Sequence, residues 1–120
     1  MIEKIHKLLF PKKLRLLNTH DFNYVFQNAI KIKYWEIIIF NRYNQYNFPR
    51  IGIIISKKFS KYSYKRNQIK RIIKEYFRLQ QHYLLFMDFI IIIKSNIMFY
   101  KVNNFKVKMK YLWFRYYKYI

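Results

Sequence analysis

Acid–base or metal chemistry needs carboxylates, imidazoles or thiolates at workable spacing, and this chain does not supply it. Its five acids are Glu3, Asp21, Glu36, Glu75 and Asp88, and no two lie close enough in sequence to suggest a local pair for two metal ions. His6, His20 and His82 lack His-x-x-x-His spacing and read as surface or capping residues. With Gly52 as the single glycine, there is neither a phosphate-cradling glycine loop nor a glycine-flanked serine. No catalytic residue and no metal ligand is therefore predicted on the protein itself. What its side chains can do is bind.

The binding signal is concentrated in Lys57 to Arg78, KKFSKYSYKRNQIKRIIKEYFR. Ile69, Ile72, Ile73, Tyr76 and Phe77 recur at helical spacing and form one apolar stripe that faces a core. Asn67, Lys70, Arg71, Lys74 and Arg78 fall in a sector of about 100° on the other side, with Glu75 at its margin. Such cations give phosphate affinity through counterion release, and exposed aromatic rings give stacking platforms for unpaired bases. Asn67 adds a donor and an acceptor for a phosphate, ribose or base edge. Together these suit single-stranded RNA. The plain alternative is a solvated helix face, as in most amphipathic helices.

The bulk properties point the same way. Lys and Arg number 25 against five acids, a formal net charge of +20, and a polyanion would screen that self-repulsion. RNA is the first candidate and an anionic membrane surface the competitor, because basic amphipathic helices serve both. Cysteine is absent, which excludes disulfides and thiolate metal sites and fits a reducing, cytoplasmic setting. The apolar runs Ile37 to Phe40, Ile51 to Ile55 and Phe89 to Ile93 are far shorter than the roughly 20 residues that span a bilayer. Pro11, Lys12 and Lys13 interrupt the apolar patch before them, so a signal peptide is not expected. Ile, Lys, Asn, Tyr and Phe also have AT-rich codons, so genome bias explains scattered Tyr and Lys as readily as function does. It does not explain ordered helix faces.

The elements that must position this face follow from periodicity. A chain of 120 residues, 53% hydrophobic and 22% aromatic, has material for one domain with a real core. Residues 1–17 show no clear period and are expected to form a basic extension along the surface. Thr19 offers an N-cap and Asp21 a first-turn acid for a short helix ending near Asn28, with Phe22, Val25 and Phe26 on one face. By spacing alone, Phe22 and Phe26 read as core. Ile30, Ile32 and Tyr34 alternate with lysines as a strand, and Glu36 to Arg42 continues as a second. Asn41, Asn44, Asn47 and Pro49 mark a loop, which predicts a hairpin returning as Arg50 to Ser56, with Gly52 at a bulge or close backbone approach. Ser60 or Ser63 caps the basic helix, which runs to about Gln81. Asp88 to Lys94 reads as a fully buried strand, and Asn103 or Asn104 caps a final helix whose stripe is Phe105, Met109, Leu112, Trp113 and Tyr116. The order is α-β-β-β-α-β-α, one α+β domain with helices on a mixed four-stranded sheet.

KRNQIKRIIKEYFR, preceded by PRIGIIISKKF and followed by MDFIIIIK, resembles the protein subunit of bacterial ribonuclease P. HDFNYVFQ and LWFRYYK extend the resemblance over roughly Pro11 to Lys118. The family's Arg-Asn-Arg motif stands here as Arg66, Asn67 and Gln68, a departure at the third position. The resemblance implies a left-handed β-α-β crossover, as in the second domain of ribosomal protein S5, where general handedness rules favour a right-handed one. It implies an accessory subunit, 1:1 with the catalytic RNA, in a ribonucleoprotein endonuclease that removes the 5′ leader from precursor tRNA. The RNA subunit would perform the hydrolysis and hold most of the Mg2+. Phe22, Phe26 and Phe40 would line a cleft for the single-stranded leader, with Asn67, Lys70 and Lys74 pointing to it. Lys57, Lys58, Arg66, Gln68, Arg71 and Arg78 would serve the RNA subunit. No membrane and no obligate protein partner is expected. The rival readings are a structural ribosomal protein of related fold and a membrane-active basic protein.

Overall fold

The computed structural model describes residues 10–34, 37–56, 62–94 and 102–118. In chain order the elements are α1 (Thr19–Gln27), β1 (Ile30–Tyr34), β2 (Ile37–Tyr43), β3 (Arg50–Ile55), α2 (Ser63–Gln80), β4 (Met87–Ile93) and α3 (Val102–Leu112). Single 3-10 turns precede and follow them at Lys12–Leu14 and Trp113–Tyr116. This is the α-β-β-β-α-β-α order read from the sequence. The four strands form one mixed sheet, β1-β2-β4-β3, in which β1/β2 and β2/β4 are antiparallel and β3/β4 is parallel across α2.

One expected connection is corrected. The asparagine-rich loop predicted a β2–β3 hairpin, yet β2 pairs with β4, from Ile37↔Ile93 to Tyr43↔Met87, and β3 lies on the far side of β4. MDFIIII is the strand least able to tolerate water, and only a central place in the sheet shields it throughout. All of it is buried except Ile92, which is half-buried.

Alternation along the strands sorts side chains between two faces. On one face Ile37, Ile39, Ile51, Phe89, Ile91 and Ile93 pack with the α2 stripe Ile69, Ile72, Ile73 and Phe77. Phe105, Met109, Leu112, Trp113 and Tyr116 complete this main core. Phe77 and Phe89 meet the Trp113 ring edge-on at 5.5 and 5.3 Å. The buried Asn41 amide donates to Tyr116 Oη at 3.1 Å, and burial pushes the Tyr116 phenol above its ordinary pKa. On the other face, Leu16, Val25 and Ile90 form a smaller cluster, with Phe22, Ala29, Phe40 and Ile92 packed around it.

Local signals shifted by a residue or two. Asn18, not Thr19, caps α1, its Oδ1 accepting from the Asp21 N–H at 2.8 Å. α2 starts at Ser63 after Tyr62, with no side-chain cap, and Ser60 lies outside the described residues. Asn103 and Asn104 fall inside the first turn of α3. Of the expected basic extension, residues 1–9 lie outside the described residues, and within 10–17 Leu14 and Leu16 are buried while the Leu16 N–H donates to the Ile51 carbonyl at 2.9 Å. Leu14, Arg15 and Leu16 alternate as a strand does, and the outer edge of β3 offers unpaired backbone groups to receive them.

Candidate nucleic-acid interface

α1 lies across the smaller sheet face and is fastened by two arginines. Arg42 donates to the Tyr24 carbonyl at 2.5 Å and stacks its guanidinium 3.7 Å from the Tyr24 ring centroid. Arg50 reaches Asp21 in the first turn at 3.9 Å while forking onto the buried Asp88 at 2.8 and 2.6 Å. So held, α1 presents Val25 to the core and leaves Phe22 half-buried and Phe26 38% exposed. Phe26 meets the half-buried Phe40 of β2 edge-on at 5.0 Å, and Lys31 stands 5.8 Å over the Phe40 ring.

Gly52 sets how closely α1 approaches β3. A Cβ there would stand 2.5 Å from Phe22 Cζ and 3.2 Å from Leu16 Cβ. Gly52 pairs in register with Ile90, so the close approach expected at this position is present and the bulge is not.

Beside that contact a cleft is lined by Phe22, Gly52, Leu16, Arg15, Lys70 and Lys74. Lys70 and Lys74 are shared with a neighbouring depression that adds Asn67, Arg71, Glu75 and Arg78. The polar face of α2 is therefore one surface, and its two lysines form a ridge beside the aromatic trough. Partial desolvation, then the charges of Arg15 and Lys70, pushes the Lys74 ammonium below its ordinary pKa of 10.5. Arg78 is not equivalent to the others. It forks onto Glu75 at 2.6 and 3.1 Å, and that hydrogen bonding holds the Glu75 carboxyl below its usual pKa.

Of the residues singled out in the sequence, Phe22, Lys70 and Lys74 share one cleft, and Asn67, Arg71 and Arg78 share the adjoining one. Phe26 and Phe40 pair farther along the same sheet face, outside both lining sets. Arg66 is half-buried and Gln68 exposed at the start of α2, while Lys57 and Lys58 lie outside the described residues. Sequence reasoning missed Phe10, Arg15 and Leu16 as wall residues. Their one signal was the short alternation at Leu14 to Leu16.

Asp21 and Asp88, distant in sequence, meet around Arg50, which forks onto Asp88 and stands 3.9 Å from Asp21, so the three form a structural clamp. Among the described residues no three His, Cys, Asp or Glu side chains gather where they could hold a metal ion. No described helix is long and apolar enough to cross a membrane.

A cationic ridge beside an aromatic trough, carried on an α+β sheet, defines a protein for binding RNA. The family model described as Ribonuclease P matches residues 10–117. The chain belongs to the ribonuclease P protein family. It is similar to the ribonuclease P protein component of Baumannia cicadellinicola, 46% identical over 93% of this chain and 97% of that one. That of Blochmanniella floridana is 44% identical over 96% and 97%. The solved RNase P protein of Thermotoga maritima is 27% identical with a TM-score of 0.69, covering 82% of this chain and 91% of its own. That of Staphylococcus aureus, 22% identical with a TM-score of 0.76, shares the fold. Family membership selects the ribonuclease P reading over the ribosomal and membrane ones. The chain is the protein part of a tRNA-processing endonuclease and associates with an RNA subunit.

Proposed function

We propose that the trough and ridge hold the single-stranded 5′ leader of precursor tRNA beside a catalyst made of RNA. Phe22, Phe26 and Phe40 offer faces and edges on which unpaired bases stack, while Lys70 and Lys74 meet the phosphates and Asn67 a phosphate or ribose. Arg66, Gln68 and Arg71, with Lys57 and Lys58 outside the described residues, face the RNA subunit in a 1:1 complex. Arg78 contributes less, because Glu75 already engages its fork. The observation that carries this reading is the placing of Lys70 and Lys74 across one cleft from Phe22 and Gly52.

The protein supplies position and charge, and the hydrolysis belongs to the RNA subunit. Mg2+ does not fit the described residues, whose acids Asp21, Asp88 and Glu75 are each engaged by arginine. We therefore assign the ion to the RNA. Bringing leader and catalyst together saves the RNA part of the entropy of assembling them. Reconstitution with ribonuclease P RNA tests this at low Mg2+. The protein is expected to stimulate cleavage of precursor tRNA and to cleave nothing alone. Absence of stimulation, or cleavage by the protein alone, contradicts the proposal.

A further inference from the structure

A second pocket lies at the other end of α2. It is a cavity of about 460 Å³ between the Lys12–Leu14 turn, the β2–β3 loop, the α2–β4 connector and the C-terminal segment. Its walls include Lys13, Phe48, Gln81, His82, Phe86 and Lys118. Gln81 stands about 10 Å along the helix axis from Lys74, and no residue lines both this cavity and the trough cleft or its neighbouring depression.

Two cation–aromatic pairs frame it. The Lys13 ammonium sits 5.1 Å over the Phe48 ring and the Lys118 ammonium 4.0 Å over the Phe86 ring. Phe86 is 37% exposed and reachable, whereas Phe48 is half-buried and already stacked on Tyr46 at 5.3 Å. Among the described residues no acid lines this cavity, whereas Glu75 borders the α2 depression and Asp21 and Asp88 border the one around Arg50. Two lysines with no acid beside them among the described residues draw an anion. Rings beside them draw a planar base, which an acidic peptide would not offer. Asn47 adds a neutral donor and acceptor at the wall for a base or ribose edge. The volume lies in the range of pockets that enclose small ligands, and one nucleotide fits that scale.

We infer that this pocket is a second nucleotide site, taking one unpaired RNA nucleotide with its base against the exposed Phe86 and its phosphate at Lys13 and Lys118, beside Phe48. The inference rests on the RNA-binding role of the family and is independent of the leader trough.

Titration of the whole chain with adenosine 5′-monophosphate, adenosine and inorganic phosphate, following the Phe48 and Phe86 ring resonances, tests it. The nucleotide should move both rings and bind about tenfold more tightly than either fragment. Lys13→Ala with Lys118→Ala should weaken it about tenfold, and Phe86→Leu should leave only the phosphate response. Lys70→Ala with Lys74→Ala should leave the titration unchanged, while the Lys13 and Lys118 variant should keep its affinity for a leader oligonucleotide. Equal binding of phosphate and nucleotide would overturn the inference as an anion site only. Ring shifts that vanish in the Lys70 and Lys74 variant would overturn it too, because the nucleotide would then sit in the trough.

Discussion

The two faces of the sheet are built from the same alternating strands and end in opposite conditions. On the main face, α2, α3 and the Trp113–Tyr116 turn together cover the strands, and Ile37, Ile39, Phe89, Ile91 and Trp113 are wholly buried. On the other face, the nine-residue α1 covers one end only, and Phe40, Ile54 and Ile92 keep contact with solvent. A sheet face closes when helices long enough to span it supply apolar stripes. Where a short helix supplies one core residue, Val25, between two phenylalanines, a trough remains. The main face holds the fold together and the open face is left for a ligand.

Phe89→Ala and Phe26→Ala compare the two faces most sharply. The first removes a buried ring that packs on Trp113 and Tyr116 and should cost about 3–5 kcal/mol in urea unfolding, much of the stability typical of a small domain. The second should cost about 1 kcal/mol or less and act chiefly on leader affinity. Equal losses of stability would erase the distinction.

Gly52→Ala probes the join between α1 and the sheet. The methyl would collide with the outer end of the Phe22 ring, which is partly exposed and can swing outward. A cost of about 1 kcal/mol, the low end for overpacking, is expected, with weaker leader binding as the ring moves into the cleft. Phe22→Leu in the same chain should recover the stability and not the binding.

The ridge carries a pH signature. Phosphate favours the protonated form of Lys74, whose pKa in the free protein lies below 10.5, so binding should weaken as pH rises through that lowered value. Lys74→Arg, which stays protonated, should move the loss to higher pH in the same titration. The smallest effect is expected at Gln68. It is exposed near Lys65 and Lys70, which already supply charge, so Gln68→Arg should raise RNA-subunit affinity about threefold. A gain well above tenfold would mean that the neighbours do not compensate for the missing family arginine.

These contrasts also mark what could be read from the chain. The stripe from Ile69 to Phe77 and the stripe from Phe105 to Tyr116 were legible because helical period and burial coincide there. The place of β3 was not, because local loop signals cannot reveal that β4, more than thirty positions later, inserts between β2 and β3. Phe22 and Phe26 were ambiguous for a related reason: i, i+4 spacing defines a face without saying whether anything covers it. Leu14 and Leu16 escaped notice because a single bridge to Ile51 leaves almost no periodic trace. The Lys70 and Lys74 side of α2 was read from helical geometry alone, while its facing wall of Phe10, Arg15 and Gly52 came only with the fold.

The proposed function requires an unpaired strand to lie between the α2 ridge and the aromatic trough. The direct measurement is the affinity of the reconstituted ribonucleoprotein for tRNA with and without its 5′ leader, at several salt concentrations. The leader should strengthen binding about tenfold, and Lys70→Ala with Lys74→Ala should abolish that advantage and lower the salt slope by about 1.4. A leader advantage that survives intact in the double variant would contradict the account.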